Sequence, residues 1–305
     1  HKTAYRPLQN VSLRDYRENL EGEGHGLYLH IPFCESKCGY CNLFSVAGWG
    51  REVMEAYLKG LSRQMEQCGQ ILPESTMFSD FTIGGGTPLL LDEGQLERMF
   101  GEVRSCMPLK KDCGIIIETA PKQTDQRKAR LLKELGVTRV SMGIQSFDEE
   151  ELAWLGRSHD AGKAREAAEL LANTGFACVN FDFIYGLPGQ TAESLVRTLK
   201  TAVSFMPEEI FLYPLYIKHG VGLERCGKGT LLDSDHTYML YQNGMAYLKE
   251  QGYVQVSMRR FVRGKEVNPL DTEFRAQADQ GNWRNYFSEE RAGFQECGFT
   301  GSLAL

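Results

Sequence analysis

Three thiols stand within the eight residues CESKCGYC at 34–41, directly after the apolar approach YLHIPF at 28–33. Thiolates bind soft or borderline metals, so Cys34, Cys38 and Cys41 point first to zinc or iron–sulfur. A structural zinc closes with four ligands, usually from two Cys-x-x-Cys knuckles, and no second knuckle exists here. His30 lies four residues before Cys34, but strand alternation ties it to the same face as Tyr28. Three cysteines on a [4Fe–4S] cubane leave one iron without a protein ligand. By the logic of an open catalytic zinc position, that iron can hold a substrate or cofactor. The other six cysteines (Cys68, Cys106, Cys113, Cys178, Cys226 and Cys297) are scattered and read as small buried hydrophobes.

Other residues with chemical potential stand at regular intervals behind the thiols. GGGTP at 84–88 combines Gly84, Gly85 and Gly86 with Thr87, and three glycines let backbone approach a charged ligand closely. Glu118 follows three isoleucines. Asp182 sits between Phe181 and Phe183, where a charge needs a partner or a ligand. The acidic run DEEE at 148–151 reads as a solvated helix start, and His159, His219 and His236 as surface or satisfied core residues.

The elements that must position these groups alternate along the chain. Short β-branched or aromatic runs at 27–33, 79–85, 114–119, 138–145, 178–186 and 209–217 read as strands. Amphipathic stretches at 51–72, 92–107, 125–136, 160–175 and 191–205 read as helices; Ala129, Leu132, Leu135 and Gly136 share one face of the third. Repeated βαβ units imply parallel strands, either closed as a barrel or open and doubly wound. Polar and Gly-rich groups at successive strand ends favour the α/β answer of a partial (β/α)6 barrel. Beyond 218, a helix is expected at 234–251 and a strand at 253–264, and the polar remainder shows weak periodicity.

The Cys-x₃-Cys-x₂-Cys spacing after a first strand, with a Gly-rich second strand end, resembles the radical S-adenosylmethionine (SAM) superfamily. YLHIPFC, IGGGTP, GIQSF, LGRSHD and FDFIYGLPGQT follow the order of its oxygen-independent coproporphyrinogen III oxidase group. That group includes haem chaperones, haem-degrading methylases and class C radical methylases. The resemblance implies a partial (β/α)6 barrel, a [4Fe–4S] cluster on Cys34, Cys38 and Cys41, and SAM on the open iron. Reduction then releases a 5′-deoxyadenosyl radical that abstracts hydrogen from the substrate. It further implies Tyr28 near SAM, Tyr40 against adenine, and Gly84, Gly85, Gly86 and Thr87 along the methionyl part. Glu118 would meet the amino or ribose groups, Gln145 and Arg157 would make polar contacts to SAM, and Asp182 would bind ribose. A low-potential donor of flavodoxin or ferredoxin type and a tetrapyrrole or other small-molecule substrate complete the implied set.

Mapped on the chain, the resemblance gives an N-terminal extension at 1–25, the barrel at 26–217, and at 218–305 an incomplete match to the family's C-terminal domain. Leu43 stands where the oxidase carries a further cysteine, and 265–305 lacks the chaperones' HNxxYW segment. The readings are therefore a tetrapyrrole oxidoreductase, a methylase or similar tailoring enzyme, and a haem-binding chaperone. The chain of 305 residues has net charge −6, which argues against nucleic acid as a partner. No apolar run approaches a membrane span, and no signal-peptide pattern opens the sequence. A cytoplasmic protein is expected, and the opening His1 suggests that the sequence starts inside a longer one.

Overall fold

Side-chain caps start most of the helices. Asp92 and Gln95 form a capping box, Asp125, Asp148, Asp160 and Asp233 each accept first-turn backbone N–H groups, and Thr191 pairs with Ser194. Gly156 and Gly175 end two helices in the left-handed conformation. The computed structural model describes residues 17, 19–217, 221–225 and 233–264. Its first half runs β1 (His25–Ile31), β2 (Phe33–Cys34), β3 (Val46–Ala47), α1 (Arg51–Gly69), β4 (Phe78–Gly85), α2 (Glu93–Cys106), β5 (Leu109–Thr119) and α3 (Gln126–Glu134). Then follow β6 (Arg139–Gln145), α4 (Glu149–Leu155), α5 (Ala161–Thr174), β7 (Cys178–Tyr185), α6 (Ala192–Ser204) and β8 (Glu209–Pro214). The last elements are α7 (Gly222–Arg225), α8 (Ser234–Glu250), β9 (Tyr253–Gln255) and β10 (Arg260–Arg263).

The main sheet has the order β1-β4-β5-β6-β7-β8-β10-β9, and its first six strands are parallel. Each parallel strand neighbours the next in chain order, whereas a doubly wound sheet reverses at a switch point. Winding in one direction with right-handed crossovers sends the helices to one face. That face carries Leu29, Ile83, Ile117, Val140, Phe181 and Leu212, buried in one cluster with Leu61, Phe100, Leu132, Leu171 and Leu199 of the helices. Among the described residues the sheet keeps two edges, β1 and β9, so the barrel they form is open. Its other face holds the polar residues.

Two local expectations are corrected. The stretch 253–264 is a hairpin rather than one strand, because Val256 donates N–H to the Arg260 carbonyl (3.0 Å) and the Ser257 hydroxyl accepts from Arg260 N (3.1 Å). The acidic run at 148–151 is not wholly solvated. Asp148 caps α4, but Glu151 is buried and accepts from the hydroxyls of Ser146 and Ser194 and from Gln190 Nε2. Gln190 in turn accepts from Gly186 N (2.8 Å), so one carboxylate ties GIQSF to YGLPGQT. No helix among the described residues is long and apolar enough to cross a membrane.

Candidate functional site

The glycine strand end lies directly against the thiol loop. Gly86 N donates to the Ile31 carbonyl (2.8 Å) and Thr87 N to that of Phe33 (2.7 Å), so the end of β4 is bonded to the segment leading into Cys34. A Cβ on Gly86 would stand 2.5 Å from the Phe33 oxygen and 2.9 Å from Cys34 Sγ. On Gly85, at φ +120°, it would meet the His30 ring at 2.7 Å, and on Gly84 the Glu118 carboxylate at 2.8 Å. The glycines thus bring bare backbone to a surface framed by a thiol, an imidazole and a carboxylate. Thr87 Oγ1 lies 3.9 Å from Cys34 Sγ. Burial raises the Cys34 thiol pKa, the Thr87 hydroxyl partly offsets this, and Cys41 and Cys38 lie near enough to add to it. Among the described residues, no three His, Cys, Asp or Glu side chains are gathered as ligands of one metal ion.

The loop is held from three sides. Glu35 pairs with Lys122 and accepts from Gln123 Nε2 (3.0 Å). Gly39 donates its N–H to the Leu155 carbonyl (3.0 Å), and its own carbonyl accepts from Leu223 N (2.8 Å). A Cβ at Gly39 would fall 2.9 Å from Leu223 Cγ, so the loop passes there without room for a side chain.

Register carries the polar face across the sheet: Glu118 lies beside Ser141, Ser141 beside Asn180, and Asp182 beside Phe211. Glu118 Oε2 accepts from Gly85 N (2.9 Å). Asp182 accepts from Asn180 Nδ2 (2.8 Å) and from the Ser141 hydroxyl (3.2 Å). Burial pushes Glu118 up to about 7, opposed by the Gly85 N–H, and Asp182 up to about 6, opposed by Asn180.

Arg157 follows the left-handed Gly156 and turns back to the loop. Its Nη1 donates to Cys38 Sγ (3.1 Å) and Tyr40 Oη (3.4 Å), and its Nη2 to the Gly143 carbonyl. Among the described residues, buried Arg157 Nε and Asn180 Oδ1 find no hydrogen-bond partner, two polar atoms that a ligand would satisfy. Gln145 is buried at φ 74°, a strained conformation for a non-glycine residue, and interrupts the β6–β7 register next to Gly143. Tyr40 packs with Leu155, Ile184 and Leu215. Tyr28 Oη lies 3.1 Å from His30 Nδ1. His30 Nε2 lies 2.8 Å from the Phe44 carbonyl, which can only accept, so Nε2 carries the proton and Nδ1 accepts from Tyr28.

Of the thirteen residues singled out, Tyr28, Cys34, Gly84, Gly85, Gly86, Thr87, Glu118, Gln145 and Asp182 lie on strands or directly at their carboxyl ends, whereas Cys38, Tyr40 and Cys41 lie in the loop after β2 and Arg157 reaches back from the end of α4. Ser141 and Asn180 had not been singled out, and His30 had been weighed only as a fourth metal ligand. Their signal was period-two spacing: Asn180 stands two before Asp182 and Ser141 four before Gln145. His159 is buried beside Arg157, with Nε2 unpartnered and the ring lowered to about 4 by burial and the Arg157 charge. His236 reaches the Gln190 carbonyl at 3.1 Å, while His219, Cys226 and Cys297 lie outside the described residues.

Residues 28–202 match the model of the radical SAM superfamily. The heme chaperone HemW of Mycobacterium tuberculosis is 35% identical over 249 residues, covering 80% of this chain and 64% of that protein. The oxygen-independent coproporphyrinogen III oxidase of Pseudomonas aeruginosa is 30% identical over 279 residues, covering 90% of this chain and 59% of the relative. The solved structure of coproporphyrinogen III oxidase (HemN) from Escherichia coli, a radical SAM enzyme, superposes with a TM-score of 0.76. It is 26% identical, and the match covers 87% of this chain and 60% of that one. The chain thus spans less than two thirds of the length of these relatives.

Proposed function

The chain belongs to the radical SAM superfamily, and from that premise we propose that it is a radical SAM oxidoreductase acting on a tetrapyrrole-like substrate. The observation that carries this reading is the bare backbone of Gly84, Gly85 and Gly86 set between Cys34, His30 and Glu118. Three soft thiols in one loop are the donor set of a cluster with one open iron. A glycine cradle with an adjacent carboxylate, and a buried arginine with an unpartnered nitrogen, suits a ligand bearing both an ammonium and a carboxylate.

Cys34, Cys38 and Cys41 would hold the cluster, and Gly84, Gly85, Gly86, Thr87, Glu118, Gln145, Arg157 and Asp182 would surround SAM, with Tyr28 and Tyr40 beside them. When bound and reduced by a low-potential donor, the pair supplies a radical able to abstract hydrogen. The chain's own part is positional. Arg157 ties Cys38 to the end of β6 through Gly143, so the thiol loop keeps its place relative to the strand ends. Asp182 is fixed by two donors and presents fixed oxygens to a hydroxyl partner. Glu118, with a pKa near 7, can accept from or donate to a polar ligand at neutral pH. Tyr40, Leu155, Ile184 and Leu215 form an apolar wall that limits water.

A second reading, a haem-binding chaperone, is favoured by the HemW relative at 35% identity. Anaerobic reconstitution followed by dithionite and SAM separates the two. The enzyme reading expects about four irons per chain, methionine and 5′-deoxyadenosine as products, and loss of iron in Cys38→Ala. Haem uptake without 5′-deoxyadenosine would favour the chaperone, and full iron loading in Cys38→Ala would remove the cluster assignment.

A further inference from the structure

The connector between α4 and α5 reaches over the end of β6 with two side chains. It is fixed at both ends. Arg157 N donates to the Leu152 carbonyl (3.0 Å), Ala161 N to Glu149 Oε1 (2.9 Å), and Lys163 N to the Asp160 carboxylate (2.7 Å). Arg157 donates Nη2 to the Gly143 carbonyl, and the His159 ring donates to the next carbonyl along, that of Ile144. Among the described residues His159 Nε2 finds no hydrogen-bond partner, so the donor to Ile144 is Nδ1. Two successive carbonyls of β6 are thus held from one connector.

Those carbonyls belong to a bulge. Gly143 stands beside Asp182 and Gln145 beside Phe183, so Ile144 is the extra residue that the β6–β7 pairing passes over. Its carbonyl takes a donor from His159 instead of from the ladder. Gln145 follows at φ 74°, a conformation that a glutamine keeps only where its surroundings hold it. The turn lays its amide over Gly143: a Cβ there would stand 2.7 Å from Gln145 Nε2 and 3.8 Å from Arg157 Nη2. Amide and guanidinium therefore share the space left by a missing side chain, next to Asp182. His159 itself is 7% exposed, and burial and the Arg157 charge lower its pKa to about 4. At neutral pH it donates to Ile144 without setting a second cation beside Arg157.

We propose that His159 is a positioning residue for SAM: through the Ile144 carbonyl it holds the bulge that turns the Gln145 amide toward the ligand, beside Arg157. This inference rests on the SAM reading of Gln145 and Arg157 above and adds the residue on which their placement depends. A phenylalanine at 159 keeps the ring but leaves the Ile144 carbonyl without its donor. Gln145 then relaxes toward an ordinary extended conformation, and its amide leaves Gly143. Asparagine places its amide nitrogen where the imidazole has Nδ1, and glutamine where it has Nε2, so only asparagine can replace the bond.

The test uses the full chain, reconstituted anaerobically with iron and sulfide, and measures SAM affinity by equilibrium dialysis with labelled SAM. His159→Phe should weaken SAM by about tenfold, the scale of one buried hydrogen bond, at unchanged iron content. His159→Asn should bind like the unaltered protein. His159→Gln should bind like His159→Phe, and it carries the test if the phenylalanine variant does not fold. Without SAM, hydrogen exchange across 143–147 should quicken in His159→Phe and stay slow in His159→Asn, a change that a direct contact between imidazole and SAM would not produce. Joined to Gln145→Ala, His159→Phe should cost no further affinity, since it acts through Gln145. Additive losses overturn the inference, as does equal SAM affinity in His159→Phe and the unaltered protein; both leave the SAM reading standing. Loss of iron in His159→Phe also overturns it, by assigning His159 to the thiol loop. Failure of the unaltered, iron-loaded protein to bind SAM overturns both readings together.

Discussion

Gly86→Ala tests whether the strand end and the thiol loop are one mechanical unit. The added Cβ would stand 2.5 Å from the Phe33 oxygen and 2.9 Å from Cys34 Sγ, where ordinary contacts begin near 3.4 Å. The Phe33 carbonyl must therefore retreat by about 0.9 Å. It cannot do so freely, because it accepts from Thr87 N at 2.7 Å and Val46 N holds the Pro32 carbonyl at 2.8 Å. Overpacking of this kind costs about 1–3 kcal/mol, and a broken backbone hydrogen bond adds about 1 kcal/mol. The metal-free variant should lose about 2–4 kcal/mol in urea unfolding, and its iron content after reconstitution should fall sharply as Cys34 is displaced. Gly101→Ala is the control: it lies exposed in α2 with nothing within 4 Å of the new Cβ. It should gain about 0.5–1 kcal/mol and keep its iron. A Gly86→Ala protein with unchanged unfolding midpoint and full iron would refute the reasoning, since the loop would then yield at no cost.

Glu151→Ala removes the buried acceptor shared by Ser146, Ser194 and Gln190 Nε2, leaving them the Thr198 hydroxyl and the Thr191 and Ile184 carbonyls. It should destabilise by roughly 2–4 kcal/mol in urea unfolding, and a loss within experimental error would show the network to be dispensable. Glu118 is raised from 4.5 to about 7 and Asp182 from 3.8 to about 6, so the folded state prefers both protonated. Their contribution is complete below pH 4 and is lost as pH rises through 6 and 7. The metal-free protein should thus lose stability across that window, and Glu118→Gln with Asp182→Asn should flatten the loss. An identical slope in the double variant would assign the pH dependence elsewhere.

The sequence made the strand ends legible because residue type and position spoke together there. Three glycines ending a strand, or an aspartate between phenylalanines, fit few roles other than a close approach or a ligand. Chain order did the same for the fold: strands and helices alternated, and the six parallel strands of the sheet keep their order without reversal. What escaped depended on contacts between distant residues. Glu151 looks like any helix-start acid until Gln190 and Ser194, on the far side of α5 and β7, close over it. Arg259 lies over the Tyr213 ring only because the hairpin folds it back onto β8, a contact that no spacing in the sequence announces. Gln145 gave no hint of its positive φ, since glutamine has no preference for that conformation.

Gly39 bears on the order in which the molecule is assembled. The thiol loop is synthesised before the residues on which its shape depends, Leu155, Arg157 and the distant Leu223. A growing polypeptide therefore carries three uncommitted cysteines until most of the barrel has closed. Under the proposed function, loading of iron and sulfide would then be a finishing step on a folded scaffold, with nucleation of the fold left to the apolar face of the sheet.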